Sequence, residues 1–98
     1  MMESIFLLGA EIDLQQAFDY YEDLQEGRGD HLLGQLKLAL GIVQRHPLIA
    51  PAYHGCYRRM LVRDFPLGIF YVVEPKRIIV AALLDLRQDP RSIRKRLR

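Results

Sequence analysis

The sequence predicts an α+β fold, a helical hairpin packed on a small antiparallel sheet, in the chain order β-α-α-β-β-β. Three observations predict it. Residues 11–46 hold two stretches with apolar side chains at helical spacing, split by Gly27-Arg28-Gly29. Residues 57–84 hold three runs rich in β-branched and aromatic residues, separated by Pro66 and by Pro75-Lys76. A short apolar run, Ile5-Phe6-Leu7-Leu8, precedes them and is closed by Gly9. The 98 residues read as one domain, 1–98, without repeats or linkers. A chain of this size buries about 65% of its unfolded surface, enough for a modest core.

Taken in order, Ile5–Leu8 reads as an opening strand. Leu14, Ala17, Phe18, Tyr21 and Leu24 then form one helical stripe. Glu11 and Asp13 lie near the start of that helix, where acids suit the dipole, with Asp13 as its cap or in its first turn. Gly27-Arg28-Gly29 ends it. Asp30 opens a second helix, as cap or in the first turn, whose seam is Leu32, Leu33, Leu36, Ala39, Leu40 and Val43. Arg45-His46 sit at its C-terminal end and Pro47 closes it. Leu48–Gly55 reads as a loop. The meander follows as Tyr57–Phe65, Leu67–Glu74 and Arg77–Leu84. Alternation puts Met60 and Val62 on one face of its first strand and Arg59, Leu61, Arg63 and Phe65 on the other. Ile78–Leu84 is apolar on both faces, which predicts cover on both sides. Asp89-Pro90 suits a helix start, with Asp as cap and Pro at the first position. Residues 91–98 read as a frayed turn or a disordered basic end.

Half the residues are hydrophobic and 27% are charged, a globular composition. Cys56 is the only cysteine, so no intrachain disulfide forms, which fits a reducing, cytoplasmic setting. Neither Cys-x-x-Cys nor paired His spacing occurs, so neither metal nor cofactor is expected. The start lacks the basic leader and long apolar run of a secretory signal, and nothing reaches transmembrane length, so no membrane partner is expected. Charge is asymmetric. Glu3, Glu11, Asp13, Asp19, Glu22, Asp23, Glu26 and Asp30 face only Arg28 within residues 1–30, a net of −7. Residues 31–98 carry +9, against a chain total of +2. The second half therefore suits an acidic partner.

Arg58, Arg59, Arg63, Arg87 and Arg91 are the candidate target- or partner-binding set, because guanidinium gives fixed, paired donors for carboxylates and phosphates. Arg59 and Arg63 share a strand face by spacing, and Arg87 and Arg91 leave the last strand. Arg59 and Arg87 are also the catalytic candidates: arginines can stabilise a developing phosphate dianion without a metal. Asp85, Asp89 and the isolated His31, His46 and His54 form a weak acid–base set beside them. Equally, Arg59 and Arg63 can be held in structural ion pairs with Asp64, Asp85, Asp89 or the acidic first helix. Tyr53 and Tyr57 are the surface aromatics, while Tyr21 and Tyr71 belong to the core.

The runs D-L-Q-Q-A-F-D-Y-Y-E, G-R-G-D-H-L-L, P-L-I-A-P, Y-R-R-M-L-V-R-D-F-P-L-G-I-F-Y-V-V and L-R-Q-D-P-R, in this order, resemble the RelE/ParE superfamily of type II toxin–antitoxin toxins, the plasmid stabilisation family. The resemblance spans nearly the whole chain. It implies a cytoplasmic toxin that inhibits growth and is neutralised by a cognate antitoxin. ParE-like members poison DNA gyrase; RelE-like members cut mRNA on the ribosome without metal. Of the RelE-like set, Arg87 matches the arginine after the last strand. The middle-strand arginine falls at Gly68 and the C-terminal tyrosine near Ile93. These departures favour the ParE-like reading, although many ParE-like relatives have histidine where Asp85 stands. An inactive antitoxin-binding relative is the remaining alternative.

Overall fold

Eight elements form in the order β1 (Glu3–Phe6), α1 (Leu8–Leu24), α2 (Arg28–Arg45), β2 (Ala52–His54), β3 (Tyr57–Val62), β4 (Leu67–Val73), β5 (Arg77–Asp85) and α3 (Pro90–Arg96). The computed structural model describes residues 1–98. The strands make one sheet in the order β1-β5-β4-β3-β2. The β3-β4-β5 meander is antiparallel, as expected. The opening strand instead pairs parallel to β5, with Glu3 opposite Arg77 and Phe6 opposite Val80, so the sheet is mixed. The helical hairpin is part of the long crossover that such a parallel pair needs.

The sheet has two unequal faces. The α1–α2 hairpin covers the first, where Leu32, Leu36 and Val43 meet Val62, Ile69, Tyr71, Val80 and Leu83. On the second, Phe70, Ala82 and Leu84 are covered by Ile93 and Leu97. Residues 91–98 are therefore not a loose tail. Asp89 caps α3 by accepting the Arg91 N–H at 2.8 Å, Pro90 holds the first helical position, and Ile93 and Leu97, one turn apart, bury the apolar side. Cover on both sides explains the doubly apolar β5.

Several boundaries differ from the sequence reading. The opening strand ends at Phe6, and α1 begins at Leu8 without a side-chain cap. Leu7 and Leu8, apolar enough to extend the strand, are instead exposed at the helix start. Gly9 lies inside the helix, where an added Cβ would sit 2.9 Å from Arg96 Nη2. Asp13 is thus neither cap nor first turn: its carboxylate leaves the helix to accept the Leu83 N–H at 3.0 Å. Within 48–55, β2 forms a short edge strand. The strand β3 stops at Val62; Asp64 takes a left-handed φ of 70° with His31 Nε2 3.0 Å from its carboxylate, and Phe65 turns back into the hairpin core against Tyr21.

Gly27 and Gly29 close the helical hairpin for separate reasons. Gly27 takes φ 89°, which glycine adopts at little cost. Gly29 makes room for Phe18, since a Cβ there would fall 2.5–2.8 Å from three of its ring carbons. The Glu22 carboxylate accepts the N–H groups of Gly27 at 3.0 Å and Gly29 at 2.9 Å, holding its pKa below the usual glutamate value. A depressed folded-state pKa gives stability that is complete above the unfolded value of about 4.5 and is lost as pH falls through the folded value. Glu22→Gln should flatten the acid limb of a melting-temperature profile below about pH 4.5, while leaving its neutral-to-basic side parallel to wild type.

Candidate functional site

The five candidate arginines do not gather at one place. Arg87 and Arg91 follow the same local pattern, an aspartate two residues earlier. Asp85 Oδ1 accepts the Arg87 N–H at 2.8 Å, and its Oδ2 pairs with Arg87 Nη2 at 2.7 Å. Asp89 does the same for Arg91, with the N–H at 2.8 Å and Nη2 at 2.9 Å. Hydrogen bonds from these guanidinium groups hold both aspartates below the usual carboxylate range. The ion pairs therefore fall on Arg87 and Arg91, and not on Arg59 and Arg63, for which the sequence offered them. Being exposed, these pairs contribute little to stability.

Arg58 points to the main chain: its Nη1 donates to the Ala50 carbonyl at 2.7 Å and helps anchor residues 47–50. Tyr71 supports the same segment, donating from its hydroxyl to the Pro47 carbonyl at 2.7 Å. Arg59 lies on the α3 side of the sheet, its guanidinium 5.0 Å from the Tyr53 ring centroid and its side-chain methylenes against Gly68. A Cβ at Gly68 would meet Leu86 at 2.9 Å and Arg59 at 3.1 Å. The space at Gly68, where the RelE-like resemblance would put an arginine, is therefore filled by two neighbouring side chains. Arg63 lies beyond the end of β3 and lines a cavity with α2. It does not extend the face occupied by Arg59.

The catalytic candidates Arg59 and Arg87 are also separated. Arg87 lines a 570 Å³ cavity on the α1 side with Asp13, Tyr20, Tyr21 and Arg96. Burial raises the Tyr21 phenol pKa, and the nearby Asp85 carboxylate adds to the effect. The histidines stay dispersed: His31 meets Asp64, His46 follows α2, and His54 is exposed in β2. Nothing here aligns a base, a nucleophile and paired donors around one reacting atom.

A different grouping emerges at the edge of β3. A 330 Å³ cavity between α2 and β3 is lined by Gln35, Leu38, Ala39, Ile42, Arg45, Met60, Leu61 and Arg63. A 300 Å³ cavity adjoins it, lined by Ile49, Ala50, Pro51, Arg59, Met60 and Leu61. No carboxylate lines either one. Arg45, Arg59 and Arg63 take part in none of the five ion pairs. Leu38 is 64% exposed and Leu61 57% exposed, so apolar surface stands open between free cations. Sequence reasoning selected Arg59 and Arg63 but read Arg45 only as a helix-end charge. The signal for the groove was Leu38, an apolar residue off the buried seam of its helix.

No family model matches the chain, and no curated protein does so. The likeness comes from solved structures. A chain of the chromosomal ParDE TA system from P. aeruginosa superposes with a TM-score of 0.77 at 16% identity, over 89% of this chain and 98% of that chain. At that identity the likeness is one of fold. The chain therefore has the ParE-like fold that its sequence resemblance implied.

Proposed function

We propose that the chain is the toxin component of a type II toxin–antitoxin system, ParE-like in action. It binds an essential target such as DNA gyrase and is neutralised by a cognate antitoxin. One observation carries the reading: on a ParE-like fold, the free arginines flank an open apolar groove, while no acid–base constellation forms around the paired ones. Such a surface suits binding rather than bond cleavage. The departures at Gly68 and Ile93 support the same side. Arg87 and Arg91, exposed and paired only with near neighbours, remain able to exchange their aspartates for a target's anionic groups.

The test is induction in cells, with and without a co-expressed acidic neighbouring reading frame. Growth should arrest in the single induction, plasmid supercoiling should fall, mRNA should stay intact, and co-expression should restore growth. Codon-positioned mRNA cuts that vanish with Arg87→Ala would replace this reading with a RelE-like ribonuclease. Normal growth together with a tight complex would replace it with an inactive antitoxin-binding relative.

A further inference from the structure

The edge of β3 is only half covered. Its N-terminal half pairs with β2, and the Arg59 N–H donates to the Pro51 carbonyl at 3.2 Å. Backbone groups alternate sides along an antiparallel ladder, and the β3–β4 register runs without a bulge from Arg58 to Val62. The N–H and C=O of Leu61 therefore point the same way as those of Arg59. At that level the preceding chain has left the edge in a turn, with the Ile49 N–H bonded to the His46 carbonyl. Met60 and Leu61 belong to opposite faces of the sheet, yet both line the same two cavities. Lining from both faces at one strand fits an edge open on its outer side.

We propose that this edge receives an extended acidic segment of a partner chain as an added strand, paired at Leu61. Alternate side chains of the added strand enter the groove against Leu38, Ile42 and Met60, and its carboxylates meet Arg45 and Arg63. Charge selects the occupant. A second copy of this chain at the same edge would set arginines against arginines, a common guard against edge-to-edge pairing, whereas an acidic strand is attracted. The proposal deepens the reading above by giving the antitoxin's contact a chemistry, and it rests on that reading for the partner's identity alone.

The experiment titrates the full chain with three labelled ten-residue peptides, followed by fluorescence anisotropy: alternating Glu and Val, the same peptide N-methylated at alternate amides, and alternating Lys and Val. The Glu-Val peptide should bind. Its N-methylated form and the Lys-Val peptide should each bind at least about tenfold more weakly, through lost hydrogen bonds and charge repulsion respectively. Leu61→Pro removes the outward N–H together with the Leu61 side chain, so Leu61→Ala serves as its control, and the proline should weaken Glu-Val binding about tenfold beyond the alanine. Arg63→Glu should also weaken it and should strengthen Lys-Val binding. Should Leu61→Pro fail to fold by circular dichroism, the N-methylated peptide and Arg63→Glu still decide. Equal affinity of the methylated and parent peptides would overturn strand addition, as would failure of the Glu-Val peptide to bind. Dimerisation of the peptide-free chain that is abolished by Leu61→Pro would overturn the choice of occupant. Arrest of growth that is relieved by a neighbour still binding Leu61→Pro at full strength would sink this inference while leaving the toxin reading intact. Strand addition in a chain that arrests nothing would do the reverse.

Discussion

Phe70→Ala should lower the unfolding free energy by about 3–5 kcal/mol, the range for truncating a buried phenylalanine. Phe70 is fully buried at the centre of the second sheet face, where Ala82, Leu84, Ile93 and Leu97 pack around it. Tyr53 meets its ring edge-on, with centroids 5.2 Å apart. The cavity cannot collapse from the sheet side, because the Phe70 backbone is fixed between β3 and β5. It can collapse only by moving α3. Urea unfolding should show the loss, and hydrogen exchange should show α3 losing protection before the strands do. A loss below about 1 kcal/mol would mean that α3 contributes little to a closed second face.

Asp13→Ala should cost about 2–4 kcal/mol, more than its place on a helix surface suggests. The Asp13 side chain is only 10% exposed and joins three elements. It sits on α1, accepts the Leu83 N–H of β5 at 3.0 Å, and takes both Nη1 and Nη2 of Arg96 from α3, at 2.9 and 2.8 Å. Alanine leaves a β5 N–H without its acceptor and frees the guanidinium. Asp13→Asn keeps an oxygen for Leu83 and loses the charge, so it should cost about half as much. Arg96 is itself 37% exposed, and the ion-pair share is reduced accordingly. Thermal melts of the two variants separate the contributions. Equal losses would place the whole effect in the charge rather than in the Leu83 hydrogen bond.

These two residues also mark how far the sequence can be read. The hairpin and meander were legible because their apolar spacing is regular and Gly27, Pro66 and Pro75 separate them. The strand β2 was not, since Ala52 and His54 are exposed and carry no alternation. Its pairing comes from the chain folding back on Tyr57 and Arg58. The role of α3 was hidden by charge: Arg91, Arg94, Lys95 and Arg96 outweigh Ile93 and Leu97, whose i, i+4 spacing was the available clue. Asp13 resembled a capping acid because its true partners lie 70 and 83 positions away in the chain.

The site divides in the same way. Residue type marked the arginines as candidates for anion binding, but the chain satisfies two of them locally through Asp85 and Asp89. The Asp-x-Arg spacing, present twice, was the sign of this. The groove required three distant segments, around Leu38, Ile49 and Leu61, to be assembled before its lack of carboxylates could be seen. Open strand edges are likewise a property of register, which composition does not encode.

The partner surface depends on β3 being unpaired at Leu61, beside Arg45 and Arg63. Amide hydrogen exchange of the free chain, resolved by residue, tests it most directly. Met60 and Val62, whose N–H groups face β4, should exchange slowly, and Leu61 between them should exchange rapidly. Adding the Glu-Val peptide should slow Leu61 specifically. Protection of Leu61 equal to that of Met60 and Val62 in the free chain would contradict an open edge and remove the surface on which the proposed partner binds.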